Sequence, residues 1–190
     1  KLSAQSAGLN PPVSFGIQHH RAEQALRQSG LGFTILRPTF FLQSLLLMSG
    51  DVASKGAITA PMGGGRTAMV DVRDVAAVAA CCLADPDRHA GAVYTVTGPA
   101  AHGFADVTQR LGRLLGKQIG YKSPPAFVAR LVMPVLTGMP RWKSNLLVDL
   151  MVAIRNGAQQ TVTDDVETVT GRQPRSLDAF LAEHLDSFRA

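Results

Sequence analysis

Cysteine is nearly absent from this chain: its 190 residues hold two, Cys81 and Cys82, side by side within "VAAVAACCLAD". Adjacent cysteines in one apolar run cannot staple distant segments, which excludes a disulfide scaffold and leaves both as small core residues. No C-x-x-C occurs, and His19 and His20 would lie about 100° apart on a helix, so no metal site is expected. Long apolar runs are missing as well. "FFLQSLLLM" and "LLVDLMVAI" are broken by polar residues and fall short of the roughly 20 residues that span a bilayer. "KLSAQSAGLNPP" lacks the apolar middle of a signal peptide, so the expectation is a cytoplasmic protein with no membrane partner. Charged residues are scarce, at 17% against 46% hydrophobic, which excludes a disordered chain and predicts a globular core. The net charge of +5 is spread over arginines such as Arg21, Arg66, Arg110 and Arg172, with no basic run among aromatics. That distribution predicts no nucleic-acid partner but is compatible with an anionic small ligand.

What is present alternates between helical and strand patterns, the grammar of an α/β protein. "KLSAQSA" reads as the tail of a strand whose beginning is absent, and the chain does not start with Met, so an N-terminal portion is expected to precede it. After the turn-rich "GLNPPVS", a helix is predicted from about Ser14 to Gln28, with Ile17, Ala22, Ala25 and Leu26 as its apolar residues and Ser29-Gly30 as its stop. A buried strand follows at Phe33 to Leu36, closed by Arg37 and Pro38, then a short apolar helix from about Phe41 to Met48.

"GAITAPMGGGRTAMVDV" reads as a hairpin or a pair of edge strands around glycines 63 to 65. Those glycines are a turn and not a phosphate loop, because a dinucleotide-binding turn opens a helix and this one opens a strand. "DVRDVAAVAACCLADP" is a helix with Asp71 and Asp74 as caps, and "GAVYTVTG" a strand. Beyond them the pattern predicts a helix in "FADVTQRLGRLLG", a strand in "KQIGY", helices over Pro125 to Leu136 and Arg141 to Asn156, and a last helix from near Ser176.

"HHRAEQALRQSGLGFTILRPTFFLQ", "VDVRDVAAVAACCL", "YTVTGPA" and "TDDVETVTGRQPRSLDAFL" stand here in the order seen in the NmrA-like family of atypical short-chain dehydrogenases/reductases, which the chain resembles over nearly its whole length. The resemblance implies one incomplete NAD(P)-binding domain, the C-terminal part of a Rossmann-type parallel sheet. Residues 1–100 would supply sheet and crossover helices, and 101–190 a smaller, mostly helical lobe on the substrate side. It implies NADP or NAD as cofactor, NADP preferred. The family's glycine-rich turn and the basic residue after it are not among these residues; the strands and crossovers not represented would amount to about 100 residues, at roughly 30 per unit.

In that picture Leu2 and Ser3 end a central strand and Gly32 to Arg37 form the next. Pro38 turns the chain over the cofactor, Thr39 lies beside the reacting ring, and Phe40 or Phe41 covers the nicotinamide. Arg37 is alternatively a structural charge paired with an acidic neighbour. Ser3 either orients the carboxamide or caps a turn. His19, four residues before Glu23, either stands near the ribose or is a surface residue, while Glu23 serves the fold. Gln43 and Met62 are candidate substrate-pocket residues. The Tyr-x-x-x-Lys pair of conventional short-chain reductases is missing, since Gly98 lies four after Tyr94 and Pro125 four after Tyr121. Two function classes follow. One is an NAD(P)H-dependent oxidoreductase acting on a small molecule such as a quinone or activated alkene; the other is a non-catalytic NAD(P)-binding redox sensor with a protein partner.

Overall fold

The computed structural model describes residues 1–8 and 13–189; the Leu9 to Pro12 part of the predicted turn region lies outside the described residues. Helix α1 (Phe15–Gln28) leads into strand β1 (Ile35–Leu36), which is flanked by Leu2 on one side and by β4 (Val93–Tyr94) on the other, all parallel. The hydrogen-bonded ladder runs beyond these short regular stretches. Ser3 N–H donates to Leu36 O and Gln5 N–H to Pro38 O, while Arg37 N–H donates to Tyr94 O and Thr39 N–H to Val96 O. Helix α3 (Val72–Ala84) precedes β4 as the second crossover.

Between β1 and α3 the chain forms a 3₁₀ segment (Leu42–Met48), α2 (Ser49–Lys55), β2 (Ala57–Thr59) and β3 (Arg66–Thr67). The predicted Phe41 to Met48 helix is therefore 3₁₀ and becomes α-helical only after it. Of the two expected arrangements, the hairpin is a correction, since β2 and β3 do not pair with each other; each is an edge strand with one partner. β2 pairs in parallel with β6 (Gly120–Lys122), and β3 pairs antiparallel with β5 (His102–Gly103), which the sequence pattern did not suggest. The physical reason is tertiary contact. A Cβ on Gly65 would stand 2.4 Å from Arg155 Cα, so this glycine admits the end of a later helix.

That helix is α6 (Arg141–Arg155), packed against α5 (Ala126–Thr137); α4 (Phe104–Leu115) precedes β6, and α7 (Asp165–Thr170), α8 (Leu177–Glu183) and a 3₁₀ turn (Leu185–Phe188) close the described chain. Helix α7 was not predicted; with six residues it is too short for periodicity to reveal.

Apolar burial divides into two cores. One gathers Leu42, Ile58, Met62, Phe104, Ile154 and Phe180 under the helical lobe; the other gathers Leu36, Val70, Val75, Val78, Cys82 and Val96 beside the parallel strands. Burial pushes the Cys82 thiol up, with Cys81 adding to the shift. Cys82 is expected to alkylate much more slowly in the native protein than in denaturant, whereas Cys81, half-buried, reacts sooner. Mass spectrometry of time points with and without denaturant checks this, and equal native rates for the two thiols would put the wrong face of α3 inward.

Candidate functional site at the ends of the parallel strands

The apolar residues of α1 are not the ones it buries. Ile17, Ala22 and Ala25 are exposed, and the side chain driven inward is Glu23, 1% exposed. A carboxylate tolerates such a place only when its lone pairs are taken up. Ser3 Oγ donates to Glu23 Oε1 at 2.6 Å, Arg37 Nε donates to the same oxygen at 2.9 Å, and an Arg37 terminal nitrogen donates to Oε2 at 2.5 Å. The charge at the end of the β1 strand is thus the partner of a buried acid, and Glu23 clamps two neighbouring strand ends to the crossover helix. Burial by itself would raise the Glu23 pKa, but the hydrogen bonds from Arg37 and Ser3 outweigh it and hold the carboxyl below its ordinary range. His19 stands one turn earlier on α1, half-buried, its ring edge-on to Phe15 at 6.0 Å. Its burial, and then the charge of Lys1, push its pKa down, so the imidazole is neutral at physiological pH.

The Pro38 to Phe41 stretch is held by the fold on every side. Thr39 Oγ1 donates to Ala68 O at 2.5 Å, Pro38 O accepts from Gln5 N–H, and Phe40 N–H donates to the Gln159 side chain at 3.0 Å. Phe40 turns towards the first core, edge-on to Phe104 at 6.1 Å, and Phe41 turns to the second, bridging to Val70. Both rings remain half-buried, so each keeps some open surface. Gln43 caps α3: its amide donates to Asp71 Oδ1 at 3.0 Å and its carbonyl accepts from Val72 N–H at 3.1 Å. Met62 is fully buried in the first core with no exposed surface. The structure therefore brings Ser3, Pro38, Thr39, Phe40 and Phe41 together at one sheet edge, with Met62 buried in the core against which Phe40 packs.

Asp71 is the N-cap of α3 as predicted, accepting from Arg73 N–H at 2.8 Å. Asp74 is a correction. Its carboxylate accepts from the Arg175 backbone N–H at 2.7 Å and from the Arg175 guanidinium, tying α3 to the loop before α8. A loop a hundred residues away is beyond any reading of helix-start patterns.

Two residues that sequence reasoning passed over complete the edge. Gln5 and Ser6 continue the chain directly past Ser3, and Gln5 Oε1 and Ser6 Oγ are buried with no hydrogen-bond partner among the described residues. Buried polar atoms without partners are rare and point to a missing ligand or water. Their one sequence signal is position, two and three places beyond a strand end in an α/β sheet. The apolar groove of about 1010 Å³ between α1 and α3 is lined by Leu26, Leu36, Phe41, Val75, Ala79 and Cys82, so Phe41 borders both the strand ends and this groove, which offers few polar groups to a reaction.

Parallel strands joined by helical crossovers define a Rossmann-like α/β fold. Comparison with solved structures bears this out. An NADPH-dependent quinone oxidoreductase from Escherichia coli superposes with a TM-score of 0.88 at 23% identity, over 97% of this chain and 66% of that one. In sequence, the chain is 32% identical to the NAD(P)H azoreductase of Xenophilus azovorans over 184 residues, covering 97% of this chain and 64% of the relative. It is also 32% identical to an uncharacterized oxidoreductase of Bacillus subtilis, covering 96% and 62%. The chain thus spans less than two thirds of the length of these relatives. No protein-family model matches it.

Proposed function

We propose that the protein is an NAD(P)H-dependent oxidoreductase of the NmrA-like, atypical short-chain type, cytoplasmic, reducing a small molecule such as a quinone or an activated alkene, with NADPH preferred. The observation that carries this reading is the pair of polar atoms, Gln5 Oε1 and Ser6 Oγ, that have no partner among the described residues, beside strand ends locked by Ser3, Glu23 and Arg37. Those residues fit the nicotinamide half of a dinucleotide: one hydroxyl and one amide for the carboxamide or ribose, and the half-open Phe40 and Phe41 rings as an apolar wall. Pro38 and Thr39 shape the wall while their polar groups stay within the protein. Neutral His19 lies on the helix face that carries Glu23 and supplies a further donor or acceptor.

A bound nicotinamide supplies the hydride. The chain's own part is to hold the acceptor against it and exclude water, because neither phenol is placed to give a proton. Tyr94 Oη is hydrogen-bonded to His89 Nδ1 at 2.8 Å, and Tyr121 Oη donates to Ala60 O at 3.1 Å. Acceptors such as quinones suit a site that works by positioning.

The test uses the product of the complete reading frame, with NADPH oxidation followed against a panel of quinones and enones. Acceptor-dependent oxidation is expected, and Ser6→Ala should weaken NADPH binding about tenfold, the loss of roughly one hydrogen bond. Tight NADPH binding with no oxidation across the panel would replace the reductase by the nucleotide sensor with a protein partner. No binding at all would refute both. The 190 residues alone should bind NADPH more weakly than about 1 μM, since they contain no glycine-rich turn opening a helix to hold the pyrophosphate.

A further inference from the structure

The helical hairpin of α5 and α6 carries an apolar surface that no other described residue covers. Phe127, Leu131, Val135 and Leu136 on α5 and Trp142 at the start of α6 are each more than two-thirds exposed. Phe127, Leu131 and Val135 recur at every fourth residue and share an arc of about 80° on the helix. The opposite side of α5 faces inward through Ala129, and Met133 packs against the first core. Isolated exposed apolar residues need no explanation, but a contiguous set on one helix face marks an interaction surface.

The charge left unpaired near this patch is basic. Between Asp106 and Asp149 the sequence has no acidic residue and seven basic ones. Arg130 is neutralised by Asp149 at 2.6 Å, which leaves Lys122, Arg141 and Lys143 exposed, in no ion pair among the described residues, at the ends of α5 and beside Trp142. An apolar helix face rimmed by lysine and arginine, with tryptophan at the boundary, is the pattern of a helix lying in the plane of a membrane interface. A second copy of the chain is the weaker occupant, because a symmetric contact would set the same cations against each other. No helix among the described residues is long and apolar enough to cross a membrane, so contact is limited to the surface.

We infer that the α5–α6 hairpin docks on the surface of anionic phospholipid bilayers, with Phe127, Leu131, Val135 and Trp142 entering the interface and Lys122, Arg141 and Lys143 meeting the headgroups. The inference is independent of whether the protein reduces anything. Trp142 is the only tryptophan of the chain, so its fluorescence reports this surface directly. Vesicles of phosphatidylcholine with phosphatidylglycerol should shift Trp142 emission to the blue and sediment the protein, more so at low than at high salt; pure phosphatidylcholine should bind about tenfold less. Leu131→Asp, at an exposed site where folding is not at stake, should lower binding about tenfold or more, and Arg141→Glu with Lys143→Glu should remove its salt dependence. The inference is overturned if Trp142 emission does not respond to anionic vesicles at low salt. It is equally overturned if Leu131→Asp binds like the parent, or if sedimentation shows a dimer that Leu131→Asp dissociates while lipid binding is absent.

Discussion

Replacing Glu23 with alanine is expected to destabilise the protein by about 3 kcal/mol, from the loss of the charge-assisted hydrogen bonds its buried carboxylate accepts from Ser3 and Arg37, with Arg37 itself 26% exposed and open to water. For a chain of this size that lowers the melting temperature by roughly 10 °C. The deleted carboxylate is the sole ion-pair partner of Arg37 among the described residues and takes the hydroxyl hydrogen of buried Ser3. Without it, two strand ends lose their tie to α1 just before Gln5 and Ser6, so on the proposed reading nucleotide binding should fall together with stability. Glu23→Gln keeps the shape and should fall between the two. The pH dependence has a definite sign. The folded pKa lies below the ordinary 4.5, so this contribution is fully present above that value and is lost as pH falls through the folded pKa. Thermal melts in an acid series should therefore show the parent and Glu23→Gln converging below pH 4.5. Parallel curves throughout would mean that the Arg37 pair is not formed in solution.

Asp71→Ala should cost about 3 kcal/mol, for a different combination of reasons. Asp71 is fully buried and caps α3 through Arg73 N–H, an interaction worth about 1 kcal/mol by itself. Its two oxygens also accept from the Arg73 guanidinium at 3.0 and 2.7 Å and from the Gln43 amide at 3.0 Å. The same guanidinium reaches on to Glu183 at 2.8 and 2.7 Å, so the carboxylate joins the 3₁₀ segment, α3 and α8 through one arginine. Burial alone would raise the Asp71 pKa; the Arg73 and Gln43 hydrogen bonds and the Arg73 charge instead lower it from 3.8 to about 2. A depressed pKa stabilises the fold above 3.8, and that stabilisation disappears as pH falls towards about 2. Chemical denaturation at neutral pH and across that window should show the parent losing roughly 2 kcal/mol, at about 1.4 kcal/mol per pKa unit, that Asp71→Asn never had. A parent whose stability is flat across the window would remove Asp71 from the list of buried anions.

The order of elements was legible in the residues themselves wherever local chemistry decides. Helix α3 announced itself by Val75, Val78 and Cys82 on one face and by Asp71 before its first turn; the strand stop expected at Arg37-Pro38 is not there, because the ladder runs on to Thr39. The helix signals depend on side-chain periodicity and backbone freedom within a few residues, which any reading of the chain has at hand. The distinction between a turn and a phosphate loop at glycines 63 to 65 was also local, since no helix opens there. Contacts distant in sequence were another matter. The pairing of β2 with β6 and of β3 with β5, the grip of Asp74 on Arg175 and the burial of Glu23 in place of Ile17 depend on which surfaces meet after the chain has turned many times. Whether the polar groups of Ser3, Thr39 and Gln43 face a ligand or the protein depends on the same encounters, and in each case the fold engages them. The atoms of Gln5 and Ser6 that lack a partner among the described residues emerged only there, because satisfaction of a buried hydrogen-bonding group is a property of everything packed around it.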